Sequence, residues 1–233
     1  MIAKRGIVFF SLVGLLLVAA CTLYAAPSGA AMAYEYQFSA FYSGFWSMGW
    51  FGYKDGNYKT GQGTVWKFTT TGKSQPITFE RALLKVNADS SQWWRLRLDM
   101  GKKSILYEFL VAPDASVTKV RYKDPESGAV DEFVPSQSMQ MPSAVPSNMP
   151  NSRAEMAKYK VNQQTITVQA GSFATDHYLY ADATSQGSAE LWVGDTVPGY
   201  MVKSVYANKK NDQTVVGELI QVESGVTTAL GSY

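Results

Sequence analysis

Short β-rich runs separated by turn residues recur from Gly61 onward, and this rhythm constrains the fold more than any other feature of the sequence. The runs favour Val, Ile, Thr and aromatic residues, whereas the breaks supply Gly, Asn, Asp, Ser and Pro, which turns need. Regular spacing of this kind predicts an all-β domain built from antiparallel hairpins. The predicted strands span 62–70, 77–86, 93–99, 104–112, 117–123 and 129–133, then 164–170, 174–182, 189–193, 200–207, 214–222 and a weak 226–230.

So many short strands with so little helix predict a mainly β fold, with a curved antiparallel barrel or half-barrel as the leading architecture. A two-sheet sandwich is the alternative. Within 93–99 the residues alternate in character, which predicts a sheet buried on one face and charged on the other. Because Trp93 and Trp94 must point to opposite sides, we expect one of them to be exposed or to line a cavity. The apolar set is Trp94, Leu96 and Leu98, and the opposite set is Trp93, Arg95, Arg97 and Asp99.

Two segments depart from this rhythm. Aromatic residues and glycines crowd 34–53, and this combination predicts a bent strand or hairpin rather than a helix, with the aromatics packed in a core. Prolines and methionines crowd 134–151, which predicts a lid loop or an insertion. The capping-box pattern from Ser152 to Glu155 then predicts a short helix at about 153–159. We therefore expect 134–160 to form a lid, or else a surface loop with one helical turn.

The first twenty residues have the form of a secretory signal peptide, because Lys4 and Arg5 precede a short apolar stretch. Val18 to Cys21 then resembles the bacterial lipobox, and Cys21 is the only cysteine. The resemblance implies that Cys21 is acylated, that 21–33 is a tether, and that the protein is held at the outer membrane of a Gram-negative cell. Cleavage further along the chain, with loss of Cys21, is the alternative, as is a single membrane anchor.

Charge argues against nucleic-acid binding. The chain has 21 Lys and Arg against 19 Asp and Glu, and removal of Lys4 and Arg5 leaves 19 against 19. A neutral protein lacks the clustered cations on which nucleic-acid binding depends. The single body that we predict, 34–233, is also long enough to bury a core.

Catalytic and metal-binding patterns are absent from the sequence. His177 is the only histidine, and its neighbour Asp176 must point to the opposite side of a strand. One histidine cannot supply a zinc site, and neither a nucleophile elbow nor a phosphate loop is present. Three methionines, Met139, Met141 and Met149, could bind Cu(I), but flexible apolar cover is the simpler interpretation. We therefore predict no enzyme, no cofactor and no metal.

Residues 169–178 and 190–203 resemble a pattern in exported bacterial proteins of the lipoprotein-carrier and DUF4412-like group, in which a Gly–Phe strand leads to a Trp strand, a Val–Pro turn and a Val–Lys strand. The resemblance implies a half-barrel closed by a lid of helix and loop over an apolar cavity, with a lipid or acyl chain as cargo. In this motif Phe173 and Trp192 are candidate core anchors. The aromatic segment 34–53 has no match in that group.

These observations predict a non-enzymatic envelope lipoprotein that binds a hydrophobic ligand or an envelope partner in a concave sheet face. The alternative is a structural or interaction protein with a filled core. The candidate ligand-binding residues are Trp66, Trp94, Leu96 and Trp192, and the candidate lipidation site is Cys21.

Overall fold

The structure is a computed structural model, and parts of the chain lie outside the residues it describes. The predicted signal peptide 1–20, Cys21, the tether 21–33 and most of the predicted lid 134–160 are among those parts. The described residues are 34–39, 41–42, 57–124, 127–135, 156–182, 187–208 and 212–233.

In the described part of the chain, eleven strands form a single antiparallel sheet. Its order is β6-β5-β4-β3-β2-β1-β11-β10-β9-β8-β7, so β6 and β7 are the open edges. The strands are β1 (Gln62–Thr70), β2 (Ile77–Val86), β3 (Gln92–Met100), β4 (Lys103–Val111), β5 (Val117–Lys123), β6 (Val130–Phe133), β7 (Lys160–Val168), β8 (Gly171–Asp182), β9 (Gly187–Val193), β10 (Met201–Asn208) and β11 (Gln213–Glu223).

Two meanders make this sheet, one of β1 to β6 and one of β7 to β11, and pairing of β1 with β11 joins them. The sheet is strongly curved. Although β7 is four strands away from β11 in the sheet order, the turn after β7 folds back, so that the Ala170 N–H donates to the Leu219 carbonyl at 3.3 Å. The sheet remains open between β6 and β7, and the predicted half-barrel is confirmed.

The strand predictions are confirmed for all eleven strands, with ends within a few residues of those observed. The weak strand predicted at 226–230 is wrong. These residues follow Gly225, whose φ of +70° ends the sheet, and they run as an irregular segment across the convex side. The Val226 N–H donates to the carbonyl of Gly61, just before β1, and the backbone groups of Thr227, Ala229 and Leu230 bond to side chains of the sheet, as described below.

The prediction of a strand or hairpin in 34–53 is wrong where the structure describes this segment. Residues 34–39 and 41–42 are helical, and we call them α1. Phe38, Phe41 and Tyr42 are at most 2% exposed, whereas Tyr36 is 60% exposed. Apolar residues at positions i, i+3 and i+4 define one face of an amphipathic helix, and this face packs on the sheet. The high aromatic content concealed that spacing.

At the other predicted helix, only the last residues are described. Met156 is helical and Ala157–Tyr159 form a 3-10 helix that leads directly into β7. The predicted capping box, Ser152 to Glu155, lies outside the described residues. The prediction of a lid at 134–160 therefore stays a prediction.

Candidate functional site

The concave side of β2 to β5 is a continuous apolar surface, and α1 covers it. The Phe38 ring of α1 lies 5.4 Å from the Phe109 ring and 5.3 Å from the Tyr107 ring, both in edge-on contact. Tyr42 meets Phe109 edge-on at 5.4 Å. Such aromatic pairs contribute about 0.5–1.5 kcal/mol each beyond their buried area. The strand residues of this surface are Phe79, Leu83, Trp94, Leu96, Leu98, Tyr107, Phe109, Val111, Val120 and Tyr122.

Hydrogen bonds also join α1 to the sheet. The Tyr107 hydroxyl donates to Gln37 Oε1 at 2.7 Å and lies 3.3 Å from the Tyr34 carbonyl oxygen. The Tyr34 hydroxyl donates to Asp124 at 3.1 Å, and its ring lies 4.2 Å from the Tyr122 ring. Burial first, and then the neighbouring Tyr34 and Tyr122, raise the pKa of Tyr107 well above its usual value. The helix therefore contacts the sheet through aromatic rings and through hydrogen bonds.

A buried arginine lies at the β1 end of this surface. The Arg81 guanidinium lies 5.1 Å from the Tyr58 ring and 5.2 Å from the Trp66 ring, and its Nε donates to the Tyr58 hydroxyl at 3.0 Å. Gly199 packs against it with a φ of +73°, and a Cβ there would lie 2.2 Å from Arg81 Nη2. Only glycine leaves room for this cation between two aromatic rings.

Three of the four predicted ligand-binding residues lie together. Trp66, Trp94 and Leu96 belong to the main cluster on the concave side and are at most 3% exposed. The indole N–H groups are satisfied, since Trp66 donates to the Met201 carbonyl at 3.2 Å and Trp94 donates to Gln92 Oε1 at 2.9 Å. Because both indole N–H groups are already paired, Trp66 and Trp94 offer only apolar surface on the concave side.

Trp192 lies on the opposite side of the sheet. It pairs with Lys203, which pairs with Glu218 on the convex side. The His177 ring stacks on Trp192 at 4.5 Å with an interplanar angle of 6°, and His177 Nε2 lies 3.1 Å from Glu190. Lys203 Nζ lies 5.7 Å from the indole ring. The predicted role of Trp192 as a core anchor is therefore wrong, because the side chain is half-buried in a charged patch.

His177 and Asp176 point to opposite sides, as the sequence predicts. Asp176 accepts from Lys160 at 2.7 Å, from Gln163 at 2.9 Å and from the Tyr178 hydroxyl at 3.2 Å. Burial alone would raise the pKa of Asp176, but these bonds outweigh it and lower the pKa. The geometry of these two residues thus serves to join β7, β8 and β9.

A second, smaller cluster lies on the other half of the sheet. It consists of Met156, Tyr178, Leu191 and Val193. Residues that pair across neighbouring strands face the same side of a sheet. Leu191 pairs with Ser204, Ser204 pairs with Gly217, and Gly217 pairs with Phe68, which packs on the main cluster. The smaller cluster therefore faces the same concave side as the main one. Both halves of the half-barrel thus present apolar side chains inward.

The convex side of β2 to β5 differs from the prediction. The sequence predicts a charged, exposed face, yet Arg95 and Arg121 are each only 9% exposed and Glu108 is fully buried. Residues 226–233, which we call the C-terminal strap, cover these charges. The Arg95 guanidinium lies 3.2 Å from both Glu80 and Glu108, and so links three strands. No alternation rule could show that a distant segment covers this face.

The two adjacent tryptophans of β3 are both buried, so the expectation that one would be exposed is wrong, whereas its alternative, that one lines a cavity, stays a prediction. Trp94 is covered by Tyr58, whose ring lies 5.2 Å away on the concave side. Trp93 is covered by Tyr233 of the C-terminal strap, at 4.8 Å on the convex side. The sheet is therefore covered on both sides between β2 and β5.

The described residues contain neither a metal-binding cluster nor a membrane-spanning helix. Among them, no group of three or more His, Cys, Asp and Glu side chains could hold a metal ion. None of the helices in these same ranges has the length and apolar character needed to cross a membrane.

No protein-family model and no curated protein matches the chain. A chain of the Pseudomonas aeruginosa MucA/MucB complex is similar to 74% of this chain, with 13% identity and a TM-score of 0.44, but only 55% of its own length is covered. LprF from Mycobacterium bovis is 11% identical with a TM-score of 0.38, covering 73% of this chain and 89% of LprF. A Vibrio parahaemolyticus domain described as an outer membrane lipoprotein-sorting protein is 8% identical, with a TM-score of 0.32 and coverage of 72% and 86%.

The order and pairing of its strands define the chain as an antiparallel half-barrel protein, and the solved structures named above are similar to it over part of that fold. Because the likeness to them is weak, a function must be derived from the residues of this chain.

Proposed function

We propose that this chain is a non-catalytic binding protein of the Gram-negative cell envelope, tethered at the outer membrane through acylated Cys21, which holds a lipid or acyl chain against its concave side. One observation carries the proposal. The apolar concave surface is covered by a segment outside the sheet, α1, which lies close after the predicted tether and packs on that surface through aromatic rings.

Replacement of α1 by an acyl chain would change the free energy of the protein little, because one apolar group takes the place of another. Burial of apolar area contributes about 25 cal/mol per Å², or about 0.8 kcal/mol per methylene, whichever apolar group is buried. An acyl chain that displaced Phe38 and Phe41 would restore most of the contact that it removed. Since the helix can cover the surface again, loading and release need no other source of energy. Trp66, Trp94 and Leu96 would contact the ligand, whereas Trp192 lies outside this site.

Tryptophan quenching by a brominated fatty acid tests the site, because bromine quenches only an indole that it approaches. The exported full chain carrying Cys21→Ala provides a protein without its own acyl groups. We expect dibromostearate to quench its fluorescence saturably, and the variant Trp66→Phe/Trp94→Phe to lose most of the quenchable signal. The matched control, Trp93→Phe/Trp192→Phe, removes two convex-side indoles and should keep that signal. Equal loss in the two variants would contradict a concave site.

The second candidate function is an interaction protein with a permanently filled core. Its supporting observation is that the main cluster on the concave side is at most 5% exposed in every buried member. This alternative predicts no saturable quenching by dibromostearate and a stable protein complex on extraction from membranes. Mass spectrometry of membrane-purified protein separates the two, since it reports both bound lipid and acylation of Cys21.

A further inference from the structure

Charged side chains on the convex side of the sheet bond to the C-terminal strap. Within the sheet, Arg95 pairs with Glu108 and Glu108 pairs with Arg121, across β3, β4 and β5. Glu108 lies 3.2 Å from Arg95 Nη2 and 4.0 Å from Arg121 Nη1. Strand register places these three charges in a row, and they also contact one another. We call this row of charges, with Trp93 beside it, the convex groove.

The convex groove contacts the main chain of the strap at three points. Arg95 donates to the Thr227 carbonyl, and Arg121 donates to the Leu230 carbonyl at 2.5 Å. Glu108 Oε1 accepts from the Ala229 N–H at 2.7 Å. Charged side chains that bond to successive main-chain groups fix the register of an extended peptide, and such charge-assisted bonds are stronger than neutral ones.

Side chains of the strap add selectivity. The Thr228 hydroxyl donates to Glu108 Oε2 at 2.6 Å, the Leu230 side chain is 4% exposed, and the Tyr233 ring lies on Trp93. Lys85 Nζ lies 5.4 Å from the centre of the Tyr233 ring. One hydroxyl, one aliphatic anchor and one aromatic anchor at fixed spacing are the features by which peptide sites select a sequence.

The strap is attached at its start by a turn and a backbone hydrogen bond. It joins β11 through Gly225, where a Cβ would meet no atom within 4 Å, and the Val226 N–H donates to the Gly61 carbonyl at 2.9 Å. Beyond that turn, the strap covers the charges of the groove, and its hydrogen bonds offset the cost of taking those charges out of water. A peptide that takes the place of the strap must therefore supply the same bonds.

We infer that the convex groove is a peptide-binding site, filled by this chain's own strap and able to accept the same strap from a second copy. Exchange of straps would link two copies through identical contacts, as in other exchanges of an identical element between protomers. This site lies on the other side of the sheet from the proposed acyl site, so each can fail without the other.

Cleavage after folding tests the inference. A protease site that replaces Ser224 and Gly225 in the full chain allows the strap to be cut from the folded protein. We expect a fluorescein-labelled peptide of residues 226–233 to bind the cut protein at one copy per chain, measured by fluorescence anisotropy, and to bind the uncut protein at least tenfold more weakly. A peptide carrying Thr228→Ala and Leu230→Ala should also bind at least tenfold more weakly than the parent peptide. The matched control peptide carries Ser232→Ala, a change at an exposed position, and should bind as the parent does.

A mixing experiment tests the exchange between copies. One partner lacks residues 226–233 and keeps the groove, and the other carries Glu108→Gln and keeps the strap. We expect these two to form a 1:1 complex by size-exclusion chromatography with light scattering, and each alone to remain monomeric.

Each further outcome decides the inference. A cut protein that keeps its far-UV circular dichroism but binds no peptide, or binds the doubly substituted peptide equally well, overturns it. If cutting unfolds the protein, restoration of the β spectrum by the added peptide supports it, and failure of the peptide to restore the spectrum overturns it. If the mixed partners stay monomeric while the peptide binds, the peptide site stands and exchange between copies is refuted.

Discussion

The two sides of β2 to β5 are covered in contrasting ways. On the concave side, α1 packs through the rings of Phe38 and Tyr42. On the convex side, the C-terminal strap is held by two arginines and one glutamate that bond to its main chain. The same strands are thus contacted by aromatic rings on one side and bond to a peptide main chain through buried charges on the other.

The contrast separates two kinds of recognition. Apolar contact depends on area and is largely indifferent to which apolar group supplies it, so it suits a ligand such as an acyl chain. Hydrogen bonds between buried charges and a main chain are directional, so they suit a defined peptide. Substitutions on the two sides should therefore differ in two respects. One is the size of the loss of stability, and the other is the kind of ligand, acyl chain or peptide, that restores it.

The largest effect should come from Glu108→Ala. It removes the carboxylate between Arg95 and Arg121, and so leaves Arg95 with Glu80 alone, breaks the pair with Arg121, and deprives two strap donors of their acceptor. Breaking a buried ion pair by removing one member costs about 3–5 kcal/mol. Urea unfolding of the variant measures the loss. The control is Glu132→Ala, which breaks an exposed pair with Lys119 at 3.2 Å and should cost at most about 1 kcal/mol. Similar losses in the two variants would refute the central role of Glu108.

A smaller effect is expected from Phe38→Ala on the concave side. Removal of a buried Phe ring costs about 3 kcal/mol or more in a rigid core, but here α1 can detach and limit the loss. Hydrogen exchange of α1 amides should therefore rise more than global stability falls. Tyr36→Ala, on the exposed side of the same helix, is the matched control and should change both by little. If Phe38→Ala destabilises β2 to β5 without loosening α1, the helix is part of a fixed core.

The strands could be predicted from the sequence because each one has its own local signal. In β3, apolar and polar residues alternate, and turn residues flank it on both sides. The helix α1 was missed because rich aromatic content suggests strands, although Phe38 and Tyr42 have helical spacing. A count of apolar residues at three- and four-residue intervals would have found it.

The convex groove could not be predicted, because its partners are far apart in sequence. Glu108 and Ala229 are separated by 121 positions, and only the paired strands and the returning chain bring them together. Arginine and glutamate in an alternating strand are typical of a solvated face. The one available signal was the charge pairing of Arg95, Glu108 and Arg121 on successive predicted strands, which a correct register would place in a row.

The smallest expected effect concerns alkaline pH and compares the two sides once more. Burial, followed by the charge of Glu108, raises the pKa of Tyr233 to about 12 from the ordinary value of 10.0. A folded-state pKa above that of the unfolded chain gives a contribution to stability that is fully present below pH 10 and is lost as pH rises from 10 to 12. Tyr233→Phe should therefore lose less stability than the parent across this range, by a small margin because the side chain is half exposed.

Tyr107→Phe provides the concave counterpart of that experiment. Burial is the largest cause that raises the pKa of Tyr107. Ionisation of Tyr107 therefore also destabilises the folded state as pH rises. Urea unfolding at several pH values from 9 to 12 should give a shallower decline for Tyr107→Phe and for Tyr233→Phe than for the parent. A variant whose stability declines as steeply as that of the parent would show that its tyrosine does not oppose ionisation in the folded state.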